Sequence, residues 1–353
     1  MNLTTILLVV MENIKIWLLK LAGMDTYIFP YKALINLTDL CNSRCQFCGI
    51  WKKKRNETRS IDFESVDYFF RQMGKNLIWL SLSGGEVTLY NQFQQMINQA
   101  KKRCKRLRVI SFTTNGLNPE KALAYAKYIR DSQFEAMVTI SLDGDRRLHD
   151  QLRGVEGNFE KCMKLYTQLK KEKIPVHFGI TVSAANSAFI QKDYPKWKHD
   201  IKAVTFVHSN GIYNQQNEED MSSVLRGLKK INKHYAIDHL SEIIEKIHIK
   251  TAIQFIETGL KKNIIPCEVL NTSIHIMPDG GIYPCMYLNK LGEIPNDSIS
   301  DLMKSNKVNN LKKAIHKDQC PHCWMNCYSP FSIMQHPFKS LKILIRQDHR
   351  MRR

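Results

Sequence analysis

Eight of the ten cysteines in this 353-residue chain fall into two groups, and their spacing is its strongest chemical signal. Cys41, Cys45 and Cys48 form a C-x3-C-x2-C run, and Cys267, Cys285, Cys320, Cys323 and Cys327 gather toward the other end. Cys104 and Cys162 stand apart and read as packing cysteines, small buried hydrophobes. A disulfide scaffold is excluded, because that class serves short chains that cannot build a core, and this chain is long and 43% apolar. Three thiolates in one short loop cannot complete a closed four-ligand zinc site. They suit a 4Fe-4S cluster whose fourth iron stays open for a substrate or cofactor. Zinc is the competing metal.

The elements around these cysteines must place them where chemistry can occur. Short apolar runs at 33–37, 77–82, 107–112, 136–142, 176–182 and 203–207 alternate with helical patterns at 63–73, 92–102, 119–130 and 159–171. That rhythm predicts repeated βα units on a parallel sheet. Asn118 before Pro119 marks one helix start, and Asn158 is expected to cap the fourth helix. The first cysteine group follows the first strand, so it falls at the carboxyl-terminal end of the strands, where βα barrels gather their active sites. After His208 the rhythm stops. A polar stretch leads into a long helical pattern over 240–260, and Asp279-Gly280-Gly281 marks the turn of a hairpin over 273–286.

Read through Phe47, the first group is C-x3-C-x-aromatic-C, and here the chain resembles the radical S-adenosylmethionine (SAM) superfamily. Further motifs follow in that family's order. Ser83-Gly84-Gly85-Glu86 resembles its GGE motif, Thr113-Thr114-Asn115-Gly116 its TNG motif, and Ser141-Leu142-Asp143-Gly144 the segment that contacts the SAM ribose. His149-Asp150-Gln151-Leu152-Arg153-Gly154 is similar to a stretch whose arginine holds the SAM carboxylate, a task suited to a rigid guanidinium fork. The resemblance implies a partial (β/α)6 barrel of the radical SAM type followed by a small α+β auxiliary domain. It implies a 4Fe-4S cluster on Cys41, Cys45, Cys48 and SAM. It also implies a SAM site drawn from Phe47, Gly84, Gly85, Glu86, Asn115, Ser141, Asp143, Arg153 and Ile180 on the strand 176–182. A surface salt bridge for Arg153 and a plain apolar strand around Ile180 are the bland alternatives.

The second group resembles a SPASM/Twitch extension. Cys267 is separated by twelve residues from Gly280, and Gly280 by four from Cys285, against a family pattern of C-x9-15-G-x4-C. The full SPASM pattern has seven cysteines and two clusters. This chain has five, without the five-residue gap in the final group Cys320-x2-Cys323-x3-Cys327. One second 4Fe-4S cluster is expected, on four of the five thiols, with the choice of four open and a zinc ribbon as the alternative.

Such an enzyme takes an electron from an external donor of flavodoxin or ferredoxin type, cleaves SAM to a 5'-deoxyadenosyl radical, and abstracts hydrogen from a substrate in the barrel. The substrate stays open among ribosomal peptides, lipid-linked or isoprenoid compounds, carbohydrates and RNA. Two non-enzymatic alternatives are an iron-sulfur electron-transfer protein, which does not account for the open three-cysteine site, and a zinc-dependent nucleic-acid-binding module. The net charge of +19 admits the latter, but the basic run 52–55 has only Trp51 beside it, which argues against nucleic acid as a partner. The basic runs 101–108 and 170–173 read as solvated faces.

The sequence divides into an amphipathic segment (1–30), a core barrel (31–215), an auxiliary domain (216–335) and a basic tail (336–353). Ile6, Val10, Ile14, Trp17, Leu18 and Leu21 recur at helical spacing, but Glu12, Asn13 and Lys15 interrupt the run too early for a membrane span. A helix lying on an anionic membrane or packed on the protein fits, as does the tail from Phe338 to Arg353 with its interleaved basic and apolar residues. The expected location is cytoplasmic and peripheral to the inner face of the membrane.

Overall fold

In the computed structural model, which describes residues 2–208 and 219–345, the alternating pattern becomes six consecutive parallel strands behind a leading helix α1 (Leu3–Leu21). The strands are β1 (Lys32–Asn36), β2 (Trp79–Ser83), β3 (Val109–Thr114), β4 (Glu135–Ser141), β5 (Val176–Val182) and β6 (Ile201–Phe206). Helices α2 (Phe63–Met73), α3 (Phe93–Arg103), α4 (Pro119–Asp131), α5 (Arg146–Arg153), α6 (Asn158–Lys171) and α7 (Ser187–Trp197) connect them. Neighbours in sequence are neighbours in the sheet, in the order β6-β5-β4-β3-β2-β1.

Alternation along each strand sorts side chains onto two faces. Leu80 and Leu82 of β2, Val138 and Ile140 of β4, and Phe178 and Ile180 of β5 are buried and face the helix layer, where Phe178 stacks on Tyr166 of α6 and meets Trp197 of α7 edge-on. The other face carries Ser81, Ser111, Thr139, His177 and Thr181, half-buried around a polar lumen where Thr139 Oγ1 lies 2.9 Å from His177 Nε2. Helices follow the same logic. Asp62 caps α2 by accepting from Ser65 N at 2.7 Å, and Val66, Phe69, Phe70 and Met73 then recur on one face, fully buried. Each such side chain contributes about 1.5–3 kcal/mol.

Beyond β6 come α8 (Met221–His234), α9 (Glu242–Glu257), the antiparallel strands β7 (Ser273–Ile276), β8 (Gly281–Tyr283) and β9 (Gly292–Glu293), then α10 (Ile299–Lys304), α11 (Asn306–His316), α12 (Ser329–Gln335) and α13 (Pro337–Ile345). The hairpin forms where Asp-Gly marked it. Its first strand also pairs in parallel with β1, in register Ala33↔Ile274, so one nine-stranded sheet runs from β6 to β9. The sheet does not close, and the barrel is partial.

One capping expectation is corrected. Gly157, at φ +74°, caps α6, while Asn158 lies inside the helix with its side chain turned inward to bonds described below.

Candidate iron-sulfur active site

The segment carrying Cys41, Cys45 and Cys48 leaves the carboxyl end of β1 and is fastened on two sides. On one side, Arg44 N and Gln46 N donate to the carbonyls of Arg153 and Leu152 at 2.9 and 3.0 Å, and Ser43 Oγ donates to Arg153 O at 3.0 Å. The loop therefore rides on the end of α5. Gly154 follows at φ +65°, and a Cβ there would sit 2.8 Å from Arg44 O, so that close approach requires glycine. On the other side, Gly85 N and Glu86 N donate to Thr38 O and Leu40 O at 2.6 and 2.8 Å. A Cβ on Gly85 would meet Leu40 O at 2.1 Å. These glycines admit the backbone leading to the cysteines, a role that the motif alone did not disclose.

Glu86 is buried and its carboxylate is occupied by the protein. Oε1 accepts from Thr114 Oγ1 at 2.7 Å and Thr88 Oγ1 at 2.9 Å, and Oε2 from Asn115 N at 2.8 Å. Burial pushes its pKa up, opposed by the donors on Asn115, Thr114 and Thr88. Glu86 thus clamps the loop after β3 to the loop after β2 and places Asn115, whose Nδ2 lies 2.8 Å from Asn42 Oδ1 and 3.9 Å from Cys41 Sγ.

From Asn115 a buried chain of bonds runs round to Cys45. Asn115 O accepts from Asn158 Nδ2 at 2.9 Å, and Asn158 Oδ1 lies 3.1 Å from His149 Nε2. His149 Nδ1 accepts from Asp143 N at 3.1 Å, which puts the ring proton on Nε2; burial lowers its pKa to about 4, so the ring is neutral. The Asp143 carboxylate accepts from Thr181 N at 2.8 Å and from Arg153 Nε and Nη2 at 2.6 Å each. Arg153 Nη1 then points at Cys45 Sγ, 3.6 Å away, with the guanidinium 5.3 Å above the ring of Phe47. Sequence reasoning missed His149, Asn158 and Thr114. The His-Asp-x-x-Arg-Gly stretch was the available signal for the first.

The structure brings Phe47, Gly84, Gly85, Glu86, Asn115, Asp143 and Arg153 to one rim with the three cysteines. Ser141 ends β4 on the lumen face, paired with Gly179. The Ile180 side chain is not part of this rim. It faces the helix layer, because strand alternation gives the lumen to Gly179 and Thr181.

As thiols these cysteines are poorly served. Burial raises Cys41 and Cys48 to about 11, and Cys45 is 7% exposed with Ser43 Oγ at 3.2 Å and Arg153 as polar neighbours. What suits a cluster is the donor set itself, three sulfurs from one loop with the Asn115 amide toward Cys41 Sγ and the Arg153 guanidinium toward Cys45 Sγ, where a cationic metal centre would hold them as thiolates.

In the second group, Cys267, Cys285, Cys320 and Cys323 line one partly open cavity with Val269, Ile315 and Tyr328. Burial raises Cys267 to about 12 and pushes Cys323 well above its usual range, with the other thiols adding to both. Cys327 is not on this cavity. Its charged neighbour is Lys32, which donates to the Cys327 carbonyl at 2.9 Å. Four of the five thiols thus share one cavity.

A loop one thiolate short of a closed site, at the mouth of a partial barrel, belongs to an iron-sulfur enzyme that keeps an iron open. Residues 35–183 match the model of the radical SAM superfamily, and residues 267–328 match SPASM, an iron-sulfur cluster-binding domain; together they cover more than half of the chain. The chain belongs to the radical SAM superfamily. Its cofactors are accordingly a 4Fe-4S cluster and SAM, with further iron-sulfur in the SPASM region, and it needs a reductant. The chain is 24% identical to the sporulation killing factor maturation protein SkfB of Bacillus subtilis over 84% of its length and 70% of that protein's. It is 23% identical to the antilisterial bacteriocin subtilosin biosynthesis protein AlbA of the same organism, over 88% and 67%. Its fold is shared with anSMEcpe solved with AdoMet and the Kp18Cys peptide, at TM-score 0.62 and 19% identity, covering 90% of this chain and 98% of that one. The electron-transfer and zinc-module alternatives are not favoured by this membership.

Proposed function

We propose that this radical SAM enzyme modifies a peptide, with Cys41, Cys45 and Cys48 on the catalytic cluster and Cys267, Cys285, Cys320 and Cys323 on one auxiliary cluster. The observation that carries the site assignment is the buried chain from Asn115 to Arg153, which ends on Cys41 at one side and Cys45 at the other. The peptide reading is supported by SkfB, named for the maturation of a sporulation killing factor, by AlbA, named for the biosynthesis of the bacteriocin subtilosin, and by the peptide in the anSMEcpe structure.

When bound, the cluster and SAM supply a one-electron cleavage that yields a carbon radical able to take hydrogen from substrate. This chain's residues position and exclude. Arg153, fixed by Asp143, holds positive charge against Cys45 and covers Phe47. Asn115 offers an amide donor toward Cys41, and Glu86 acts through Asn115 as a positioning residue. The lumen below, with Thr139, His177 and Thr181, has the hydroxyl and imidazole groups a peptide backbone can bond. On this reading the core is 31–215 and the auxiliary domain 216–335, the reductant is of flavodoxin or ferredoxin type, and the enzyme works in the cytoplasm.

The test is incubation of reduced, reconstituted protein with SAM while measuring 5'-deoxyadenosine. Yield should rise on adding extract of the native cells, and prior protease digestion of that extract should abolish the rise. A stimulation that survives digestion refutes the peptide reading, and no 5'-deoxyadenosine at all refutes the site.

A further inference from the structure

α1 is mounted inside out. The residues it turns to the protein are Thr5, Glu12 and Asn13, together with Val9 and Ile16. Val9 and Ile16 pack there in one apolar cluster with Ile28, Tyr31, Ile78 and Phe331, and polar bonds hold the rest of that face along the amino-terminal edge of the sheet. Asn2 N and Thr5 Oγ1 donate to Glu135, the first residue of β4; Arg106, just before β3, pairs with Glu12; Asn13 Nδ2 donates to Tyr31 Oη, next to β1, at 2.9 Å; Lys20 pairs with Glu268, before β7. Gln335 at the end of α12 donates to Asn13 Oδ1 at 2.7 Å. At about 1.5 Å per residue, 19 residues span roughly 28 Å, more than the roughly 19 Å that four interstrand steps of about 4.8 Å set between β4 and β7, so the helix is long enough to cross the sheet.

The face left to solvent is apolar along the whole helix, with Leu7, Val10, Met11, Ile14, Trp17 and Leu18 between 45% and 64% exposed. A helix that merely packs on its protein does the opposite. Among the described residues no helix is long and apolar enough to cross a membrane. The basic runs lie at this same edge: Lys101, Lys102 and Lys105 precede β3, Lys171 and Lys173 precede β5, and Lys75 precedes β2, all exposed. An apolar stripe with a Trp, ringed by lysines, matches the acyl chains and phosphates of an anionic bilayer. A second copy of the chain is a poorer match, since it would set the same lysines against each other.

The geometry points to α1 as an interfacial anchor that rests the barrel floor on an anionic membrane and turns the catalytic mouth away from it. The cysteine loop leaves the carboxyl end of β1, and α1 covers the amino end, so substrate enters from the aqueous side. α13 adds exposed Phe338, Leu341 and Ile345 just after Gln335; the rest of the basic tail, 346–353, lies outside the described residues. This inference does not depend on which substrate the enzyme modifies.

The test is flotation of the reconstituted enzyme with phosphatidylglycerol–phosphatidylcholine vesicles, with phosphatidylcholine alone as comparison. Wild type should float with the anionic vesicles, less so in high salt, and the triple variant Leu7→Glu, Ile14→Glu, Trp17→Glu should bind about tenfold or more weakly while still cleaving SAM. Brominated lipid should quench fluorescence that disappears in Trp17→Phe, and should spare Trp51, beside the cysteine loop. Wild type that stays down with anionic vesicles at low salt, or binding untouched by the triple variant, overturns the anchor. Light scattering that finds a wild-type dimer and a variant monomer assigns the face to a second copy instead. Quenching of Trp51 rather than Trp17 overturns the orientation.

Discussion

Arg153 and Asp143 form the ion pair on which the cysteine loop depends, and removing one side should be far worse than removing both. Asp143 is fully buried and Arg153 is 8% exposed. The guanidinium places two of its donors on one carboxylate oxygen at 2.6 Å, and the other oxygen has a single backbone donor, Thr181 N. In Arg153→Met the carboxylate stays buried with that one bond. Breaking a buried pair from one side costs about 3–5 kcal/mol, against an ordinary domain stability of about 5–15 kcal/mol. The double variant Asp143→Asn, Arg153→Met leaves no uncompensated charge and should recover most of the loss. Arg153→Lys keeps the charge but not the fork, and should fall between.

Urea unfolding of wild type, Asp143→Asn, Arg153→Met and the double variant, each reconstituted under anaerobic conditions, gives the four stabilities from which the cycle isolates the coupling. The loop rests on the Leu152 and Arg153 carbonyls, so iron at the catalytic site should follow stability. The reasoning fails if Arg153→Met costs less than about 1 kcal/mol, the range of an exposed pair, or if the double variant loses the sum of the single losses.

Gly85→Ala should displace the cysteine loop, because the added Cβ falls 2.1 Å from Leu40 O; iron should drop from about eight to about four per chain while the auxiliary cluster's absorbance persists. Cys323→Ser should also remove about four irons, whereas Cys327→Ser, off the cavity, should keep about eight; iron analysis separates the two, and loss in Cys327→Ser would return that residue to the ligand set. Glu245 accepts from Val204 N at 2.7 Å and Asn326 Nδ2 at 2.8 Å, and burial raises it from 4.5 to about 8. The folded state then holds a proton that the unfolded state has released, so stability falls as pH rises from about 4.5 toward 8, by something on the order of 3 kcal/mol at pH 7. Thermal melts at several pH values should show this slope, and Glu245→Gln should flatten it.

The sequence pattern located the six strands to within about two residues, because runs rich in apolar residues between turn signals report where a strand must bury a face against the helix layer. It located the first cysteine loop for the same reason, since a loop after a parallel strand has one possible end of the sheet to occupy. What periodicity could not say was which polar groups satisfy one another. Asn158 reads as a cap by composition, yet its side chain is bonded to His149 and Asn115, and Gly157 takes the cap. α5 and α7 escaped notice because one is short and mostly polar and the other contains Pro195. β7 joins β1 across more than 230 residues, a pairing for which local pattern holds no information.

α1 is the most instructive case. Its apolar stripe was legible at once, and the ordinary inference from such a stripe is that it faces the core. That inference assumes the opposite face is wet. Here Arg106, Tyr31, Glu135 and Gln335 satisfy the polar face, so burying it leaves Asn13 and Glu12 paired and removes the usual penalty. Once the polar side is the docked side, the stripe has no partner within the described chain. An amphipathic helix therefore discloses its partner only when the bonds on its polar face are known, and in this protein those bonds leave its apolar face turned outward from the floor of the barrel.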